Sequence, residues 1–313
     1  MSQQPTINWR RIAWISSIVM VLFYIGISFF FDYGSDLYNH YIPFAKGCLD
    51  CGYVPYYARW FLAPLALLPK SLLAWPIWNI IMFAILFWLI YEMDVNPLIV
   101  ASFAVIGQFW LGQVDIYLCI GIYLILKHEN PLVNGIGLCF LAIKPQIMAL
   151  AILYLIIGQP WPVLGKMLVA PIIMALLSFA VFGIDWPVRW LTNTEALPVH
   201  MWRYSALDTW RFGLPFIWIP LLFKQRDLRI VLSIAVMALA SPFFGIYTYM
   251  VLVLFYPKWW TIPLSYVWVL FIPLAGSTAM RFAWIMPLAI IIHICYTNWP
   301  QSWWAQRQQR LAN

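Results

Sequence analysis

The twenty residues from Ile12 to Phe31 contain no charged side chain. At ~1.5 Å of rise per residue, a helix of this length crosses the ~30 Å of bilayer hydrocarbon. Backbone placed there has no water to bond, so it must satisfy its own amides, as a helix does. Apolar runs recur along most of the chain, which is 64% hydrophobic and only 9% charged. A water-soluble protein of 313 residues needs a polar surface that this composition does not supply. The fold class is therefore all-α: a polytopic transmembrane bundle, read as about twelve helical passes with several of them partial. No soluble domain interrupts it, and residues 1–313 read as one integral membrane domain. Arg10 and Arg11 precede the first run and no small-residue cleavage site follows it, which favours a retained first helix over a removed leader.

The net charge of +7 matters through its distribution. With a cytoplasmic N-terminus, the basic breaks fall mostly inside: Arg10 and Arg11, Lys127, Lys166, Lys224 with Arg226 and Arg229, Lys258, then Arg307 and Arg310. The positive-inside rule then places both termini in the cytoplasm. The outer side receives Asp32, Asp36, Asp50, Asp115, Asp185, Glu195 and Asp208, and two outer loops, 32–57 and 185–211. In a soluble protein such a net positive charge would suggest anionic partners; for a membrane protein the expected partners include membrane lipids and no nucleic acid. Tryptophans near run ends, Trp75, Trp78, Trp259 and Trp260 among them, suit interfacial belts.

Cys119, Cys139 and Cys295 sit inside apolar runs, where cysteine behaves as a small core hydrophobe. Cys48 and Cys51 form a CxxC in the first outer loop. A disulfide staple is the favoured reading in an oxidising compartment; unpaired thiols and a redox motif are the alternatives. One CxxC alone does not make a four-ligand zinc site.

Residues 35–46 of the first outer loop can form a short amphipathic helix, with Leu37, Tyr41 and Phe44 on one side and Asp36, Asn39 and His40 on the other. Such a helix lies in the interface. The run 58–69 is too short to cross and is expected to dip into the outer leaflet, and 71–91 is a full span. Then come four pieces, 97–111, 116–126, 132–143 and 147–158, separated by "LGQVD", "KHEN" and "KPQ". Either 97–126 and 132–158 are two long helices with polar accidents, or each is a pair of short helices meeting at a break. Thirty helical residues measure ~45 Å, too long for one crossing without steep tilt, and Pro145 argues for a break. Broken hairpins would bring Gln113, Asp115, Lys144 and Gln146 to one outer-leaflet cavity.

An ionisable residue at membrane depth is costly and is a functional hypothesis by default. Lys144 is either paired with an acid such as Asp115 or free to bind an anion. Asp36, just outside the first helix, is either a solvated acid or a functional one.

The order "D-x-Y" after the first helix (Asp36, Tyr38), "YVPYYARWFLAPLALLP" (53–69), "GQVD" (112–115), "IKP" (143–145) and "SP" followed by Tyr247 resembles the integral membrane glycosyltransferases of the GT-C superfamily. More narrowly, it resembles glycosyltransferase family 87, polyprenyl-phosphate-mannose-dependent mannosyltransferases and related arabinofuranosyltransferases, over about residues 12–256. The resemblance implies a GT-C type fold and makes Asp36 the general base on the acceptor hydroxyl. It places Lys144 near the donor phosphate, with Gln113, Asp115, Tyr38 and Tyr247 around the substrates. Arg59, Arg203 or Arg211 would support the phosphate. The chain departs from the family pattern at Asp115, where Asn is usual, which adds a negative charge near the phosphate. It departs again at Tyr247, where His is common, which leaves that role either unassigned or passed to His40 or His200. The implied reaction moves a mannose-like sugar, with inversion, from a polyprenyl-phosphate donor to a lipid or glycan acceptor. It takes place on the extracytoplasmic face of a bacterial plasma (inner) membrane, as in cell-envelope assembly, and needs no cofactor or metal. A transporter or flippase for a lipid-linked or anionic substrate is the competing class, and a noncatalytic assembly partner is the third. A transporter would place polar groups on both sides of the midplane, whereas here they collect on one.

Overall fold

The computed structural model describes residues 8–69, 71–195, 213–241 and 244–298. It is helical, with no strand among the described residues. Helix α1 (Trp9–Ser28) leads to the outer loop. The loop's own helix opens on a wide π-type turn, Leu37–Tyr41, in which the Ile42 amide reaches back five residues to the Leu37 carbonyl, and continues as α2 (Ile42–Ala45). Next come α3 (Ala58–Leu62), the tight turns of Ala63–Leu67, and α4 (Ala74–Glu92). Two hairpins of short helices follow: α5 (Phe103–Leu111) with α6 (Ile116–Lys127), and α7 (Pro131–Leu141) with α8 (Pro145–Ile156). After α9 (Trp161–Phe182) and α10 (Trp186–Glu195), the described chain resumes with Leu214–Leu222, α11 (Arg226–Ala240), Ile246–Tyr249, α12 (Met250–Phe255) and, after several short turns, α13 (Ile285–Asn298).

Among the described residues four stretches are long and apolar enough to cross a membrane: α1, α4, α9 and Thr278–Asn298. The expected twelve passes are not found as twelve crossings. The other apolar helices, such as α6, α7 and α8, are short, because the sequence ends them where backbone bonding fails. Gly112 closes α5 in the left-handed region, with φ 69°, a conformation that costs glycine little. Pro145 has no amide hydrogen to return to the Leu141 carbonyl, so α7 cannot run on into α8. Of the two readings of 97–126 and 132–158, the structure has the broken pairs.

The hairpins pack closely. A Cβ on Gly121 would lie 2.8 Å from the Gly137 carbonyl oxygen, and one on Gly137 the same distance from that of Gly121. Small residues at such a crossing let two backbones meet where no hydrophobic force drives them together. The two ends of the molecule differ. Arg10 pairs with Asp94, so the start of α1 and the end of α4 share one end. At the other, the Gly34 amide donates to the Trp110 carbonyl (3.1 Å), which sets the outer loop on the tip of the first hairpin.

Candidate active site

The apex of the α5–α6 hairpin, residues 112–115, lies beneath the outer-loop helix. Two tryptophans of α4 hold it there: Trp75 Nε1 donates to the Phe109 carbonyl (2.8 Å) and Trp78 Nε1 to the Gln113 carbonyl (3.0 Å). Both rings are buried, which corrects their expected place in an interfacial belt; Trp259 remains exposed. The indole N–H needs a partner once buried, and the carbonyls of Phe109 in the last turn of α5 and of Gln113 in the apex provide it.

Three polar side chains meet at this apex. Gln113, Asp115 and Lys144 are 1%, 0% and 4% exposed. They pack directly against one another rather than around an open cavity. Lys144 is ion-paired with Asp115 and donates to Gln113 Oε1 (3.0 Å). The second carboxylate oxygen of Asp115 accepts from Gln108 Nε2 (2.8 Å) and Thr248 Oγ1 (2.7 Å). The rings of Tyr41 and Tyr247 flank the ammonium at 5.9 and 5.3 Å. Each buried charge is thus compensated by an opposite charge and by hydrogen bonds, without which burial would be prohibitive. Gln146 is not among these contacts, and its Oε1 is buried without a partner among the described residues.

Asp36 joins the apex from above. It stands immediately before the π-type turn, and its Oδ2 accepts from Gln113 Nε2 while Oδ1 accepts from Ser35 Oγ (3.1 Å). The outer-loop helix buries Leu37, Tyr41 and Phe44 and exposes Asn39, as its pattern predicts. Asp36, by contrast, turns inward instead of sharing the water face, because the Gln113 amide lies directly beneath it. Burial raises its carboxyl above the usual carboxylate range; the nearby His40, Ser35 and Lys144 oppose that rise and Asp115 adds to it. The resulting chain runs Asp36, Gln113, Lys144, Asp115. A half-buried carboxylate of raised basicity therefore sits one amide away from a neutral buried ion pair.

The remaining candidates are distributed around this chain. The Tyr38 hydroxyl lies 3.1 and 3.0 Å from the Ser71 and Leu72 carbonyls and accepts from the Trp75 amide, tying the loop to α4. Tyr38 also lines a cavity of about 470 Å³ with Asp32, Ile42, Lys46, Pro69, Ser71 and Leu72, which neither Asp36 nor Lys144 lines. His40 Nδ1 meets the Cys51 carbonyl (3.0 Å) and its ring leans on Tyr53. Cys48 and Cys51 are bonded through sulfur in the structure. Arg59 Nε donates to the Ala45 carbonyl (3.3 Å) at the end of α2. Tyr57 donates to the Ala142 carbonyl (2.7 Å) beside the α7–α8 break. Arg211, Arg203, His200 and Asp208 lie outside the described residues.

Sequence reasoning missed Tyr41, whose hydroxyl donates to Gln113 Oε1 (2.7 Å), and also Gln108 and Thr248. Gln108 carried a usable signal, a glutamine inside the apolar run "IGQFWLGQ", since an amide at membrane depth needs a partner. Tyr41 gave none, because its ring falls on the apolar stripe of the outer-loop helix.

The sequence profile of glycosyltransferase family 87 matches residues 53–243, more than half of the chain. Asp36 lies before that segment, whereas Gln113, Asp115 and Lys144 lie within it. No curated protein and no solved structure matches the chain.

Proposed function

The chain belongs to glycosyltransferase family 87, and on that premise we propose that it transfers a mannose-like sugar from a polyprenyl-phosphate donor to a lipid or glycan acceptor, with inversion, using Asp36 as the base. The acceptor hydroxyl attacks the anomeric carbon, the bond from that carbon to the phosphate oxygen breaks, the polyprenyl phosphate departs, and the proton passes to Asp36. One observation carries the reading: the half-buried, raised carboxylate of Asp36 held on Gln113 beside Lys144. General bases work best when their pKa is moved toward the operating pH, and a cation one residue away is suited to the charge that develops on the leaving phosphate.

Asp115 bears on how tightly the donor would be held. With Lys144 paired to Asp115 and Asp36 alongside, the three ionised groups sum to one negative charge. A donor phosphate must therefore draw Lys144 partly away from Asp115, so weaker donor binding is the consequence of the acid at this position. Lys144→Met keeps much of the side-chain volume and removes the charge. The test incubates the purified protein in lipid with a panel of polyprenyl-phosphate sugars and acceptors, and follows product and donor binding. Sugar transfer that fails in Asp36→Asn supports the reading. Donor affinity unchanged in Lys144→Met would confine that lysine to holding Asp115. Movement of a lipid-linked sugar across the bilayer without transfer would instead support the flippase reading.

A further inference from the structure

At the far end of α8 from Lys144, a second cavity of about 120 Å³ is lined by Ala151, Tyr154, Leu155, Gln159, Lys224, Arg226, Arg229, Ile230 and Ser233. Three of these residues are basic and none is acidic. The α11 members fall at 226, 229, 230 and 233 and the α8 members at 151, 154 and 155, so each helix turns one face to the cavity. The cations are held but not neutralised. Both Arg229 Nε and Nη2 donate to the Phe223 carbonyl (3.0 and 2.9 Å), which fixes the guanidinium without offsetting its charge. The Asn134 amide, turned so that its nitrogen donates to the His128 carbonyl, accepts from Arg226 Nη2 (3.2 Å). Arg226 Nε is buried and has no partner among the described residues. Lys224 is exposed and forms no ion pair with a described residue. The cavity also opens at the first turn of α11, where backbone amides add positive potential; the one acid of that turn, Asp227, is exposed and does not line the cavity.

We propose that this cavity binds a phosphate group presented by the headgroup of an anionic phospholipid. Its chemistry selects a net negative phosphate: three cations without a counterion suit it, whereas a zwitterionic headgroup would bring a quaternary ammonium against them. Its surroundings select a lipid. Leu221 and Leu222, just before Lys224, and Leu153 and Ile157 on α8 are exposed apolar side chains on the segments that form the cavity, as acyl chains running from a seated headgroup require. Basic pockets between membrane helices recognise lipid phosphates in this way. The proposal does not depend on the glycosyltransferase reading, because it uses none of the residues around Asp36.

The test uses the full-length protein purified in detergent, with native mass spectrometry to count retained phosphatidylglycerol against phosphatidylcholine, and thermal melting as a check on folding. Phosphatidylglycerol is expected to be retained preferentially. Lys224→Gln is expected to weaken that preference roughly fivefold, the contribution of one basic residue near an anionic headgroup. Arg226→Gln is expected to do the same or more. Because Arg226 also supports Asn134, the exposed Lys224 is the variant that keeps the question open if the arginine variant fails to fold. Lys166→Gln, an exposed charge near the start of α9, is expected to leave the preference intact. Equal retention of the two lipids, or an equal loss in Lys166→Gln, would overturn the site. Inorganic phosphate that raises the melting temperature as much as phosphatidylglycerol does would overturn the lipid as its ligand.

Discussion

Asp36 serves its proposed chemistry at a cost to the fold, and that conflict can be measured. Its folded pKa is raised, chiefly by burial, so the folded protein binds this proton more tightly than the unfolded chain does. The stabilisation is fully present below the ordinary carboxylate range and is lost as pH rises through the raised value. At neutral pH the ionised carboxylate therefore weakens the fold. Asp36→Asn is predicted to melt no lower than the parent at neutral pH, with any advantage vanishing in acid, while turnover falls by ~10²–10⁴-fold. The parent's rate should fall on the acid side with an apparent pKa above the usual carboxylate value. A rate profile flat through that range, or full activity in the Asn variant, would remove Asp36 as base; Asp32, exposed and four residues earlier, is the control. The ion pair beneath behaves differently. Breaking a buried pair from one side leaves an uncompensated charge, which costs about 3–5 kcal/mol. Asp115→Asn and Lys144→Met should each destabilise by that order, and the double variant by clearly less than their sum. Additive losses in chemical denaturation would mean that the two charges are not coupled in the fold.

Between residue and molecule, the helix break is the element that builds the site. Each break is legible in the sequence: glycine with two polar residues at 112–115, and lysine before proline at 144–145. Physical reasoning about length and bonding is enough to place them. What the sequence leaves open is which broken ends meet. Gln113 reaches Asp36 across 77 residues and Thr248 reaches Asp115 across 133, and no local pattern encodes such distances. For the same reason Trp75 and Trp78 read as interfacial until the apex they hold is known, since a tryptophan near a run end suits either place. The contact between loop and apex depends on Gly112. A side chain there would need a left-handed backbone and would place its Cβ 2.6 Å from that of Leu37. Gly112→Ala is therefore predicted to cost about 1–3 kcal/mol and to lift the outer-loop helix off Gln113. Donor binding at Lys144 should survive better than turnover, because the base rides on the loop and the lysine does not. Equal loss of both would show that the apex itself has collapsed.

Across the whole molecule, the two ends differ in charge, and this asymmetry predicts which side of the membrane the site faces. Lys127, Lys166, Lys224, Arg226, Arg229 and Lys258 lie on segments running away from the apex: α6 descends from Asp115 to Lys127, α12 from the neighbourhood of Thr248 toward Lys258, and α9 rises from Lys166 to Phe182, which packs against Tyr56 of the outer loop and Trp60 of α3. Arg10 and Arg11 open α1 at that same basic end. At this end the cations outnumber the acids Glu92, Asp94, Glu129 and Asp227, whereas at the site end Asp32, Asp36, Asp50, Asp115 and Asp185 offset Lys46, Arg59, Lys144 and Arg189. Lysine and arginine in short loops are retained in the cytoplasm far more strongly than acids direct export. The basic end should therefore be cytoplasmic and the Asp36 end extracytoplasmic, where a sugar carried on a lipid and a water-exposed acceptor can meet. Asn39→Cys introduces a thiol on the exposed face of the outer-loop helix, and Lys166→Cys one at the basic end. In intact cells a membrane-impermeant maleimide is expected to label the first above the parent's background, and to label the second only after the membrane is opened. The reverse pattern would turn the molecule over, placing the proposed base in the cytoplasm and the basic cavity outside.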